Sequence, residues 1–118
     1  RSDLAVWQVD AIADSTPLPL VSRLEQNYPN PFNPSTTLRF TVGSSDARRG
    51  GRASVLLAIY DVSGRTVVVV KRAEMSPGAY AIPWNGLDAR GRPVASGIYF
   101  AELRLGDASF VRKIVLMR

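Results

Sequence analysis

A chain of 118 residues with 46% hydrophobic and 21% charged side chains has the balance of one globular domain, long enough to bury a core without disulfide or metal staples. The absence of Cys and His removes thiol nucleophiles, Cys-based zinc sites, the commonest general base and the commonest metal ligand, and with them most enzyme mechanisms. The formal charge of +5 favours anionic surfaces, but the basic residues are spread from Arg1 to Arg118 and cluster tightly only at Arg48-Arg49-Gly50-Gly51-Arg52, a solvated loop tip, so no nucleic-acid partner is expected. No apolar run approaches the roughly 18 residues of a membrane-spanning helix.

In chain order, residues 4 to 9 (Leu-Ala-Val-Trp-Gln-Val) read as a short strand, with Trp7 belonging to an upstream domain or packing on this one. Asp10 to Arg23 has linker composition, carrying Ala, Asp, Ser, Thr and Pro without a sustained period. Residues 1–23 are therefore assigned to an upstream tail and linker, and residues 24–118 to the domain. A start at Arg1 without an initiator Met is expected of a piece cut from a longer protein. The stretch Leu24-Glu25-Gln26-Asn27-Tyr28-Pro29-Asn30-Pro31-Phe32-Asn33-Pro34 is stiffened by prolines, and its asparagines can close Asx-turns on neighbouring amides. It reads as a rigid entry into the first strand, as a recognition epitope, or as both, with Tyr28 and Phe32 available as anchors.

From Ser35 onward, beta-favouring runs alternate with turn signals, the pattern of an all-β sandwich. Leu38, Phe40 and Val42 alternate with Thr37, Arg39 and Thr41, leaving one wet face. Val55, Leu57 and Ile59 form an apolar row, while Leu56 and Tyr60 on the other face predict a central strand; Val67 to Val70 shares that ambiguity. Tyr80, Ile82 and Trp84 share a row in which Pro83 removes a donor, predicting an edge or a bulge. Tyr99, Ala101, Leu103 and Leu105 oppose Glu102 and Arg104, and the last strand, Phe110 to Met117, buries Ile114 and Leu116 against Lys113. No helical period persists, so little or no helix is expected. Asp61-Val62-Ser63-Gly64 and Asp88-Ala89-Arg90-Gly91 are turns with an Asp cap and a Gly exit, while Asn85-Gly86 and Gly106-Asp107 are dipeptides of tight hairpins. The expected fold is an Ig-like antiparallel β-sandwich of about seven strands.

The Asn-Pro segment resembles the start of the type A C-terminal sorting domain of the type IX secretion system, and the resemblance continues in order. It runs through Ser35-Thr36-Thr37-Leu38-Arg39-Phe40, Ile59-Tyr60-Asp61-Val62-Ser63-Gly64-Arg65, Trp84-Asn85-Gly86-Leu87-Asp88 with Gly91 and Val94, Ser96-Gly97-Ile98-Tyr99-Phe100, and Lys113-Ile114-Val115-Leu116-Met117-Arg118. The blocks from Trp84 to Tyr99 also resemble the Ig-like domain of the flagellar hook cap. Asn85 stands where the sorting family often has Asp, and the loop from Gly43 to Arg52 is longer and more basic than that resemblance implies.

The resemblance implies a non-catalytic module, covalently part of a larger cargo protein, that directs it through the periplasm to an outer-membrane translocon. A sortase-like surface peptidase then removes the module, leaving the cargo secreted or at the cell surface. The cut is expected between Asp10 and Arg23, around Ser15 to Leu20. No cofactor, metal or small-molecule substrate is implied. Recognition candidates are Asn27, Tyr28, Pro29, Asn30, Pro31, Phe32, Gly97, Tyr99, Lys113 and Arg118, acting by surface docking or strand addition at a sheet edge. Structural roles compete at Gly97 (positive φ or close approach), Tyr99 (core packing) and Lys113 (edge protection). A carbohydrate-binding module using Trp7, Tyr80, Trp84 and Tyr99, or an Ig-like spacer, is the alternative for the whole domain.

Overall fold

The computed structural model describes residues 21–48 and 51–118; the expected strand at 4–9 and the expected cleavage region at 15–20 lie outside these. The elements in order are β1 (Arg23–Leu24), β2 (Thr36–Val42), β3 (Ala53–Tyr60), β4 (Thr66–Met75), β5 (Gly78–Trp84), β6 (Gly97–Leu105) and β7 (Ala108–Leu116). They form a three-stranded sheet, β1-β2-β5, packed on a four-stranded sheet, β4-β3-β6-β7. Every strand pairing is antiparallel. The division differs from the constant-type Ig arrangement because the fourth strand stays beside the third instead of crossing to the fifth. The only helical turn among the described residues is a short 3-10 segment, Ser44–Asp46.

The alternation places the core. Leu38, Phe40 and Val42 from β2 face Val55, Leu57 and Ile59 from β3, Ala101, Leu103 and Leu105 from β6, and Ile114 and Leu116 from β7, all buried in one cluster. Thr41, expected on the wet face, is buried where Arg23 of β1 pairs with it. β3 is central between β4 and β6, as the apolar character of both its faces requires, with Leu56 and Tyr60 half-buried. β5 with Pro83 lies at a sheet edge, and the Val67–Val70 run also forms part of an edge strand, where Val69 is exposed. Ser22 and Arg23 are built into the sandwich: Arg23 pairs with Thr41, and the buried Ser22 Oγ accepts a 2.7 Å bond from the Gly43 N–H. In the basic loop, Arg48 is held by Glu74 through bonds of 3.0 and 3.2 Å.

The Gly106-Asp107 hairpin forms as expected, with Leu105 opposite Ala108 and Gly106 at φ +59. Asn85-Gly86 does not close a hairpin. It starts the crossing from β5 in one sheet to β6 in the other, and Gly86 sits there at φ +75, a conformation that strains any side chain, with a Cβ position only 3.2 Å from the Pro34 carbonyl oxygen.

The two Asp turns are copies of each other, Asp61-Val62-Ser63-Gly64-Arg65 and Asp88-Ala89-Arg90-Gly91-Arg92. In each, one carboxylate oxygen accepts the N–H groups two and four residues on, at 2.9 and 3.0 Å. Bonding from the Ser63 hydroxyl, together with the backbone bonds and Arg65, holds Asp61 below the ordinary value of 3.8, with burial partly opposing. At Asp88 the Arg92 N–H leads, followed against burial by the Arg90 N–H and the two guanidiniums. Because the folded values are lowered, their stabilisation is complete above the unfolded carboxylate pKa and disappears as pH falls through the folded value. The urea midpoint is therefore expected to fall as pH drops below about 4, and Asp61→Asn plus Asp88→Asn to flatten that fall; an unchanged slope in the double variant would count against these turns as its source.

Candidate functional site

Among the recognition candidates, Asn30, Phe32, Lys113 and Arg118 lie where the Asn-Pro segment meets β7 and its end, whereas Asn27 and Tyr28 lie beside β2, and Gly97 and Tyr99 belong to β6, between β3 and β7. The segment pairs first with β2, through Tyr28 and Thr37, and then with β7, through a parallel bridge from Phe32 to Leu116. The Phe32 N–H donates to the Val115 carbonyl at 3.0 Å, and the Met117 N–H donates back to the Phe32 carbonyl at 2.9 Å. Asn30 Oδ1 accepts the Val115 N–H at 3.0 Å, and Gln26 Nε2 donates to the Lys113 carbonyl at 2.8 Å. The peptide bonds preceding Pro29, Pro31 and Pro34 are cis.

Burial divides the candidates. Asn27 is 3% exposed, and its Nδ2 donates to the Pro29 carbonyl at 3.1 Å and to Thr36 Oγ1 at 3.0 Å, while the Thr36 hydroxyl donates to the same Pro29 carbonyl at 2.7 Å. A buried amide with its donors satisfied in this way fixes the loop. Phe32 is 2% exposed and its ring lies 5.6 Å from Trp84, which in turn meets Tyr99 edge-on at 5.9 Å. These contacts tie the N-terminal segment to both sheets. Tyr28, by contrast, is 75% exposed, and Pro29, Asn30, Pro31 and Lys113 are also exposed.

Tyr99 forms a tyrosine corner near the start of β6, its hydroxyl donating to the Ala95 carbonyl at 2.6 Å. Burial raises its pKa, the charge on Asp61 adds to the rise and Arg118 opposes it, so the hydroxyl keeps its proton and remains a donor. Two residues earlier, Gly97 sits at φ +155 with open space for 4 Å around the position a Cβ would take, so its requirement is backbone conformation and not close approach. The same device recurs at β5: Gly78 has φ +159, and the Tyr80 hydroxyl donates to the Ser76 carbonyl at 2.6 Å. This second corner was readable from the repeated Gly-x-Tyr of Gly78-Ala79-Tyr80 and Gly97-Ile98-Tyr99.

Arg118 clamps the end of the chain. Its Nε donates to the Val94 carbonyl at 2.7 Å, its Nη2 to the Gly86 carbonyl at 2.9 Å, and its N–H to Ser96 Oγ at 2.8 Å. The sequence blocks from Trp84 to Tyr99 and from Lys113 to Arg118 are thus joined by direct bonds. Gln26, Gly86 and Ser96, not singled out as recognition candidates from sequence, hold this arrangement.

An open groove of about 500 Å³ lies between the twin Asp turns, with Arg65, Arg90, Arg92 and Tyr99 along its walls. Trp84 is 3% and Tyr99 8% exposed, so neither offers a ring face for stacking on a sugar, while Tyr80 is half-buried and stacked on Phe40 at 5.4 Å.

Comparison with solved structures places the sandwich beside three proteins. It matches dimeric latent PorU from Porphyromonas gingivalis with a TM-score of 0.60 and 20% identity, over 88% of this chain and 10% of PorU. It matches PorZ, an essential bacterial surface component of the type-IX secretion system of the same organism, with a TM-score of 0.50 and 25% identity, over 80% of this chain and 11% of PorZ. Alkylpurine DNA glycosylase AlkC from Pseudomonas fluorescens matches with a TM-score of 0.53 and 15% identity, over 93% of this chain and 33% of AlkC, a likeness of fold alone. The chain therefore spans about a tenth of the length of PorU and PorZ. Comparison with curated proteins gives no match. The family model of the FlgD Ig-like domain matches residues 38–108, from β2 to the start of β7, including the whole block from Trp84 to Tyr99. With more than half of its length so matched, and with the sandwich topology to accompany it, this chain belongs to the FlgD Ig-like domain family.

Proposed function

We propose that this Ig-like domain is a non-catalytic sorting module that directs a larger cargo protein across the outer membrane by the type IX system and is removed at the cell surface. The observation that carries this reading is the joining of the separate sorting-type sequence blocks by direct bonds: Asn30 and Phe32 bond to Val115, and Arg118 bonds to Gly86 and Val94. The likeness to PorZ supports it. The partners are an outer-membrane translocon, which reads the folded surface, and a sortase-like peptidase, which cuts the linker preceding Ser22. Tyr28, Pro29, Pro31 and Lys113 are the exposed candidates for contact with them. Asn27, Phe32 and Tyr99 act indirectly, by holding that surface in shape.

The test fuses all 118 residues behind a periplasmically exported reporter in a host with the type IX machinery and in the same host lacking its translocon. Surface or medium localisation is expected only in the first. A reporter that remains periplasmic in both hosts, or leaves both equally, would reject the sorting role and leave a spacer.

A further inference from the structure

The edge of β7 is only half covered. Val115 turns its N–H to Asn30 and its carbonyl to Phe32, away from β6. Because antiparallel pairing alternates inward and outward backbone groups, those of Ser109, Val111 and Lys113 point the same way. The Lys113 carbonyl is taken by Gln26. The Lys113 N–H and both backbone groups of Val111 and Ser109 have no partner among the described residues. The open stretch is about five residues, a usual strand length.

The other edges carry protection. β5 holds Pro83, β1 has two residues, and β4 pairs with β3 through register shifts at Leu57/Ala58 and Ile59/Tyr60. β7 pairs with β6 in unbroken register. Along this stretch the strand reads Phe110-Val111-Arg112-Lys113, with Phe110 half-buried against the core and Val111, Arg112 and Lys113 exposed. Val111 is 56% exposed and Ile98 43% exposed on the outer face of the same sheet. Arg112 donates to the Leu24 carbonyl at 2.9 Å, and neither Arg112 nor Lys113 has a carboxylate partner among the described residues.

We propose that the Ser109–Lys113 edge receives an extended segment of a partner polypeptide, with apolar side chains beside Phe110 and Val111 and acidic side chains beside Arg112 and Lys113. This deepens the sorting reading and rests on it for the identity of the partner as a component of the export machinery. The chain already performs such an addition on the lower half of the edge with its own Phe32 segment. The two cations give the site its selectivity, since they attract a carboxylate-bearing strand.

The binding test uses the full chain and capped seven-residue peptides, Thr-Thr-Val-Val-Glu-Glu-Thr and its reverse, with lysine analogues as controls. One of the glutamate peptides is expected to bind about tenfold or more tighter than its lysine analogue, and Arg112→Glu with Lys113→Glu to reverse that order. Val111→Pro is expected to abolish binding while keeping the β6 ladder, since the lost N–H points outward, and Val111→Thr to retain binding. N-methylation of the peptide backbone on its pairing edge, which leaves the protein untouched, should also abolish binding. Absence of glutamate-peptide binding, or binding unchanged by N-methylation, overturns the proposal. The reporter fusion separates the two readings: export unaffected by Val111→Pro would reject the edge and keep the sorting role. Peptide binding with the expected selectivity in a domain that fails to export its reporter would keep the edge and reject the sorting role.

Discussion

Deletion of residues 113–118 is expected to unfold the domain, leaving no cooperative urea transition and rapid proteolysis. The deletion removes Ile114 and Leu116, both 0% exposed, from the middle of the core. Truncating one such side chain to Ala costs about 2 to 5 kcal/mol, against a whole-domain stability of about 5 to 15 kcal/mol. The Val115 and Met117 backbone partners of Phe32 leave with it, as does the Arg118 clamp on Gly86 and Val94. Circular dichroism and urea denaturation check this. A truncated chain with a cooperative transition near the parent midpoint would show that β7 contributes little beyond Arg112. The consequence for function is direct: loss of export after this deletion reports unfolding, so contact with the translocon is better probed at Lys113 and Val111.

The strands were legible because each core side chain repeats a local rule. Leu38, Phe40 and Val42, or Tyr99, Ala101, Leu103 and Leu105, alternate with a period that belongs to the pleat itself, so neighbours along the chain are sufficient to place them. Pro83 likewise announces an edge through its missing donor. Asn85-Gly86 shows where local rules stop. Gly86 adopts φ +75, as a turn glycine does, but its surroundings, Pro34 and Arg118, come from opposite ends of the domain and convert a hairpin signal into a crossover. The parallel contact between Phe32 and Leu116 has no periodic signature at all, because a sequence pattern records faces and not partners. For the same reason the packing roles of the candidate recognition residues were not legible in the sequence. Asn27 reads as polar and surface-seeking until Thr36 and the Pro29 carbonyl absorb its amide, and Tyr99 becomes structural once Ala95 receives its hydroxyl bond.

The two rings of the Asn-Pro segment separate its structural role from a recognition role. Phe32→Ala is expected to destabilise by about 3 to 5 kcal/mol, since it empties a fully enclosed site beside Trp84 and the segment that carries it also caps the lower edge of β7. Tyr28→Ala, at a side chain 75% exposed, is expected to change stability by about 0.5 kcal/mol or less. Urea denaturation of both variants checks the first contrast; a Phe32→Ala midpoint close to the parent would mean that the ring is dispensable and the segment is not part of the core. Export of the corresponding reporter fusions then gives the second contrast. If the segment serves only to enter the sandwich, export follows stability and Tyr28→Ala behaves as the parent. If the segment is also read by the export machinery, Tyr28→Ala loses export while remaining folded, because Tyr28 offers its ring to solvent where the Asn-Pro segment passes from β2 toward β7.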